Sequence, residues 1–214
     1  MQIKGGREDI KDQFAGMVLR ICLIVDSNLN SVRLGKTCPK VKPYIRCDGR
    51  IYCPNTVVEP GDRQMPTVAE IQEQRFTDVV IALGMNHCRY GGENQGKAIG
   101  DLYHLFKVYS QASPGVRFYH VLVPPSLSER INDNITRFNN TMSEMLTSIK
   151  GLTTVRVPRA LYAHSGLLSI AYARLNETVA GYPDDEKLHL NEDGKSMVVY
   201  CILRAVGKAA NKRI

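Results

Sequence analysis

Long hydrophobic runs are missing from this sequence. Runs such as Val79-Val80-Ile81-Ala82-Leu83 are far too short to cross a bilayer, so no membrane span is expected. Cysteine is sparse: six residues in a chain of 214 are too few for a disulfide-stapled miniprotein. A chain of this length buries enough core not to need them. Cys22, Cys88 and Cys201 lie in or beside apolar segments and read as small buried hydrophobes. Cys38, Cys47 and Cys53 cluster in one loop-like stretch without a neighbouring His, which leaves a structural zinc site short of a ligand. Free thiols are expected there, and neither a metal nor another cofactor. No Gly-rich fingerprint follows the first strand, which weighs against a nucleotide-binding reading. The N-terminus carries Glu8 and Asp9 early and has no apolar run after its basic residues, so it does not read as a secretory signal. A cytoplasmic setting is the expectation, within a ribonucleoprotein if nucleic acid is bound.

What is present is the balance of a globular chain, 43% hydrophobic and 23% charged. No internal repeat or linker divides it. Residues 18–214 are read as a single domain preceded by an N-terminal extension, residues 1–17. The formal charge of +7 favours anionic partners such as nucleic acid, anionic lipid or an acidic substrate. Part of it is local, in Arg33, Lys36, Lys40, Lys42, Arg46 and Arg50. No readout motif accompanies this segment, so a solvated basic loop is the plainer reading of it.

The elements follow from periodicity. Residues 18–25 are a nearly continuous apolar run rich in β-branched residues, as expected of a strand buried on both faces. The run stops at Asp26-Ser27-Asn28. Residues 35–66 read as long loops around one short strand near residues 52–58. Thr67 is placed to cap a short helix through Gln74. A second buried strand, residues 78–83, ends in Gly84-Met85-Asn86-His87. A loop over residues 90–94 leads into a helix with the stripe Ile99, Leu102, Phe106 and Tyr109. Pro114-Gly115 breaks it, and a third strand covers residues 116–123. The strongest helical pattern comes next: Ser128 is the expected cap, Ile131, Ile135, Phe138, Met142, Met145 and Ile149 share a face, and Gly151 is read as the C′ stop. Residues 153–157 form a fourth strand. A last helix spans residues 192–208, capped by Asn191, with Val198, Cys201, Ile202 and Ala205 inward. Strands alternating with helices predict an α/β fold, a three-layer α/β/α sandwich around a mostly parallel sheet.

In such sheets ligands bind at the carboxyl ends of the strands. Three polar clusters fall there: Asp26-Ser27-Asn28, Gly84-Met85-Asn86, and His189-Leu190-Asn191 before the last helix. Singly, each has a plainer explanation. A Ser after a strand is more often a helix cap than a nucleophile, and a lone loop His is more often structural. Their order carries the signal.

That order resembles the SGNH (GDSL-like) hydrolase family, over nearly the whole chain from Val18 to Lys208. The family's Gly-Asp-Ser block is matched by Val25-Asp26-Ser27. Its Gly-x-Asn-Asp block is matched by Gly84-Met85-Asn86-His87, and its Asp-x-x-His block by Glu186-Lys187-Leu188-His189 with Gly194-Lys195 following. Phe138-Asn139 looks like the family's helical Phe-Asn pair. The resemblance implies a flavodoxin-like architecture and a serine esterase acting on small acyl esters, acetyl or short-chain. It implies Ser27 as nucleophile and His189 as base, oriented by Glu186 or by Asp185 one residue earlier. Backbone N–H groups of Ser27 and Gly49 with the Asn86 amide would form the oxyanion hole; Gly35 or Gly61 are alternatives to Gly49. The chain departs from the pattern at Val25, which crowds the nucleophile, and at His87 and Glu186, each in an Asp position. His87 and Arg89 are expected to add positive charge beside the oxyanion hole. Residues 35–66 and 160–184 are expected to shape the pocket. A second reading is a catalytically weak SGNH-like module that binds RNA or DNA through the basic segment 33–50. Such domains also occur in the first open reading frame protein of some LINE-type retrotransposons.

Overall fold

A computed structural model describes residues 18–26, 28–29, 32, 34, 51–52, 65–175 and 189–211; at residues 51 and 52 it describes the backbone alone. Its strands are β1 (Ile21–Val25), β2 (Ile51–Tyr52), β3 (Asp78–Ala82), β4 (Arg117–Val121) and β5 (Leu152–Val155). Its helices are α1 (Val68–Glu73), α2 (Met85–Tyr90), α3 (Gly92–Ala112), α4 (Glu129–Met145) and α5 (Glu192–Asn211). The strands lie in the order β2-β1-β3-β4-β5, and every neighbouring pair is parallel. That is the flavodoxin-like order, with its switch point between β1 and β3.

Both faces of this sheet must be covered, because every residue of β1 and β3 is buried. Successive side chains alternate between the two faces. Leu23, Val25, Val80, Tyr119 and Val121 pack on Val198, Val199, Ile202 and Leu203 of α5. Cys22, Ile24, Val79, Ile81 and Phe118 pack instead on residues of α2, α3 and α4, including Met85, Leu102, Phe106 and Phe138. The predicted three-layer α/β/α sandwich is the observed fold.

Local chemistry explains most element ends. Thr67 caps α1 in a full capping box: its hydroxyl accepts from the Glu70 N–H, and the Glu70 carboxylate accepts from the Thr67 N–H. Asn191 caps α5, its Oδ1 accepting from the Gly194 N–H at 2.9 Å. At the amino ends of the strands, the buried Asp78 takes two bonds of 2.7 Å from Arg117 and one of 2.9 Å from the Tyr119 hydroxyl. This ties β3 to β4 at the edge away from the strand ends where ligands bind.

Several expectations are corrected. Residues 85–90 form a helix rather than a strand end and loop, and α3 already begins at Gly92. Gly91 and Gly92, both at positive φ, make the break between the two helices within a residue. Ser128 is at the N-cap position of α4, but its side chain makes no capping bond. Asn132 serves the entry instead: its Nδ2 donates to the carbonyls of Ser126 and Ser128, and its Oδ1 accepts from the Ser126 N–H. Gly151 is not the C′ residue of α4. That helix tightens into a 3-10 turn at Leu146–Ser148, and Gly151 turns the chain into β5 at φ +83°. On α5 the buried stripe runs through Val199, Leu203 and Val206 as well as Val198 and Ile202, so Cys201 and Ala205 sit half-buried at its shoulder. Cys22 and Cys88 are fully buried, as expected. The expected strand over residues 52–58 is described only at Tyr52, and the rest lies outside the described residues, as do Cys38, Cys47, Cys53 and the basic residues of segment 33–50.

Candidate active site

The carboxyl ends of β1 and β3 meet at the switch point, where connections leave in opposite directions and open a crevice. Asp26 is the first residue beyond β1. Its N–H continues the sheet by donating to the Ala82 carbonyl, while its buried side chain turns back into the crevice. One carboxylate oxygen accepts from the Asn28 N–H at 3.0 Å and the other from the Met85 N–H at 3.3 Å. A single side chain thus ties the segment after β1 to the start of α2. Burial raises the Asp26 carboxyl to about 6, against the opposing pull of those two N–H donors and of the charge on nearby His189.

Gly84 joins β3 to α2 at φ +131°, a conformation that favours glycine. It also has no room for a side chain, since a Cβ there would lie 2.7 Å from the Phe138 ring and 2.9 Å from Val123. Asn86 follows as the second residue of α2 and is half-buried. Beside it, burial lowers the His87 imidazole from its ordinary value, which disfavours the positive charge expected there. Arg89 stacks 5.5 Å over the Tyr90 ring.

The Phe138-Asn139 pair serves this corner from α4. Phe138 fills the space under Gly84, and the Asn139 amide grips the Val123 backbone beyond β4 from both sides. Its Oδ1 accepts from the Val123 N–H and its Nδ2 donates to the Val123 carbonyl, each at 2.9 Å.

His189 and Leu190 arrive from the far side. The His189 carbonyl accepts from the Arg174 N–H, the Asn191 N–H donates to the Tyr172 carbonyl, and Ala173 bridges Leu190 in an antiparallel pair. The loop over residues 172–174 therefore fixes the backbone around His189. Gly194 lets the first turn of α5 approach closely, because a Cβ would lie 3.0 Å from the Tyr172 carbonyl oxygen. The Leu190 N–H completes the corner by donating to Asn28 Oδ1 at 3.0 Å.

Asp26, Asn28 and Leu29 thus converge with segments 83–86 and 189–191 at one end of the sheet. Ser27 itself lies outside the described residues, and so do Gly35, Gly49, Gly61, Asp185 and Glu186. Asn86 and His189 are the candidate site residues that are described. Reading the sequence missed the Asp26–Met85 and Asn28–Leu190 bonds. The only trace of them there is that both residues flank Ser27. Among the described residues no group of His, Cys, Asp and Glu is arranged to hold a metal, and no helix is long and apolar enough to cross a membrane.

This fold, a flavodoxin-like α/β sandwich, recurs in solved structures. One is a GDSL-like lipase from Bacteroides thetaiotaomicron, with TM-score 0.61, 14% identity, and coverage of 95% of this chain and 98% of that one. Another is an acetylxylan esterase from Geobacillus stearothermophilus, solved as a catalytic mutant, with TM-score 0.62, 14% identity, and coverage of 91% and 96%. A carbohydrate esterase of family 3 from Talaromyces cellulolyticus gives TM-score 0.59, 13% identity, and coverage of 91% and 99%. The fold is that of the SGNH (GDSL-like) hydrolases. No family model and no curated protein matches the sequence.

Proposed function

We propose that this chain is a serine esterase of the SGNH type that hydrolyses small acyl esters, acetyl or short-chain. One observation carries the reading: the residues flanking Ser27 in sequence, Asp26 and Asn28, bond to Met85 and Leu190, the neighbours of Asn86 and His189. Tethers of that kind are what bringing a nucleophile, an oxyanion donor and a base together at one point requires.

In the proposed reaction Ser27 Oγ attacks the ester carbonyl as His189 takes its proton. Glu186 or Asp185 orients the imidazole and stabilises its protonated form. The tetrahedral oxyanion is met by the N–H groups of Ser27 and Gly49 and by the Asn86 amide, and the loss of one such donor costs roughly 100- to 1,000-fold in rate. The intermediate collapses as His189 returns the proton to the leaving alcohol, and water then repeats the sequence on the acyl-enzyme.

The test is hydrolysis of p-nitrophenyl acetate and longer acyl homologues by the wild type and Ser27→Ala. Turnover that is lost in Ser27→Ala is the expected result. Equal rates, or no turnover at any acyl length, would exclude the enzyme. The charge of +7 supports a second reading, a catalytically weak module of a retroelement protein that binds nucleic acid through segment 33–50. A null esterase assay together with steeply salt-dependent RNA binding is its signature.

A further inference from the structure

Asn28 has no part in the reaction just described, yet it is only 1% exposed at the centre of the candidate site. Its backbone N–H is held by Asp26. Its side-chain carbonyl holds the Leu190 N–H at 3.0 Å, a contact between residues 162 positions apart. Its Nδ2 is buried with no hydrogen-bond partner among the described residues. A cavity of about 10 Å³ borders it, lined by Asp26, Asn28, Leu83, Val123, Pro124 and Leu190 among others.

We infer that Asn28 is a positioning residue for His189: its Oδ1, by holding the Leu190 N–H, sets the imidazole against the segment that carries Ser27. The inference rests on the Ser27–His189 pair proposed above. The bonds from Arg174 and to Tyr172 attach residues 189–191 to the 172–174 loop. They fix the shape of the His189 segment but not its distance from β1. The bond from Leu190 to Asn28 spans that gap, one peptide away from the base. Because Nδ2 meets no acceptor among the described residues, their contacts draw on the carbonyl half of the amide. An amide supplies that acceptor without a charge. A carboxylate would place a second negative group beside the buried Asp26.

The experiment measures kcat and KM separately on p-nitrophenyl acetate for the wild type, Ser27→Ala, Asn28→Leu and Asn28→Asp. Leucine keeps the approximate shape and removes the acceptor, whereas aspartate keeps an acceptor and removes Nδ2. Asn28→Leu is expected to lower kcat by about 10- to 100-fold, the scale of a misplaced catalytic group, with little change in KM. Asn28→Asp restores the acceptor but sets a second negative group beside Asp26, so it should recover only part of that loss. A purely structural residue would instead change the folded fraction and leave kcat per folded molecule intact. Full activity in Ser27→Ala removes the hydrolase and this role with it. Inactive Ser27→Ala beside Asn28→Leu with wild-type kcat overturns the role of Asn28 alone. Should Asn28→Leu not fold, Asn28→Ser, too short to reach Leu190, takes its place. Hydrogen exchange supplies a readout free of catalysis: the Leu190 amide of the wild type is expected to be protected, and free exchange there also overturns the inference.

Discussion

Gly84 shows how one residue decides the geometry of a corner. Its φ of +131° and the Phe138 ring 2.7 Å from where a Cβ would stand are independent obstacles to any side chain. Gly92 offers a control in the same region, since it too has positive φ, +58°, but nothing lies within 4 Å of its Cβ position. Gly92→Ala should therefore cost only the left-handed backbone, about 1–2 kcal/mol. Gly84→Ala must also displace Phe138 or Val123, and an overpacked core adds about 1–3 kcal/mol. Urea unfolding of the two variants separates the contributions, and equal losses would mean that the Phe138 contact does not constrain the turn. Because Asn86 is two residues on, Gly84→Ala should also depress the proposed esterase turnover, while Gly92→Ala should not.

Among the elements, α4 is the brace of the site. Helix α2 has only six residues, far too few to be stable alone. Its last carbonyls are met from α4, by Asn134 Nδ2 on Cys88 and by Arg130 on Arg89. Gln95 of α3 adds a bond of 2.7 Å to the Asn134 carbonyl. Asn139 then secures the chain beyond β4. Asn139→Leu keeps the bulk but strands the Val123 N–H and carbonyl, and each buried group left unpaired costs about 1–3 kcal/mol. Thermal or urea unfolding should show that loss, and a variant as stable as the wild type would mean that Val123 finds other partners. The apolar face of α4 was legible in the spacing of Ile131, Ile135, Phe138 and Met142, just as β1 and β3 were legible as apolar runs. Its polar work was not, because a hydrogen bond from Asn134 or Asn139 to distant backbone leaves no periodicity. Helix α2 escaped notice for a related reason: six residues between glycines are too short to display a helical face. At the site, the residue types in order gave Ser27, Asn86 and His189 as candidates. The tether between Asn28 and Leu190 joins the two ends of the chain, so no local pattern announces it.

At the scale of the whole molecule, Asp26 and His120 are buried groups whose effects on stability oppose each other. Burial raises Asp26 from its ordinary 3.8 to about 6, so in that range the native state holds a proton that the unfolded chain has released. Its contribution to stability therefore falls as pH rises from about 4 to about 6. His120 lies in β4 in a T-shaped contact with the Phe106 ring, fully buried and with neither ring nitrogen bonded among the described residues. Burial lowers it from 6.5 to about 4, so here the unfolded chain holds the extra proton, and stability falls as pH drops through the same range. Each displacement is about two pH units, and at about 1.4 kcal/mol per unit each group is worth on the order of 3 kcal/mol. In the wild type the two slopes oppose each other. Asp26→Asn should expose the His120 slope, so that stability falls by on the order of 3 kcal/mol more than in the wild type between pH 6.5 and pH 4. His120→Phe should do the reverse and flatten or invert the acid loss. It should also raise stability near pH 7, because the unbonded imidazole nitrogens are gone. Urea unfolding of the three proteins at pH 4, 5, 6 and 7 reads the slopes directly, and any constant offset from bonds lost at position 26 drops out of them. Three parallel profiles would show that neither group titrates as its burial requires. Profiles that diverge with opposite sign would show that the carboxylate at the site and the imidazole in the core offset each other's pH dependence.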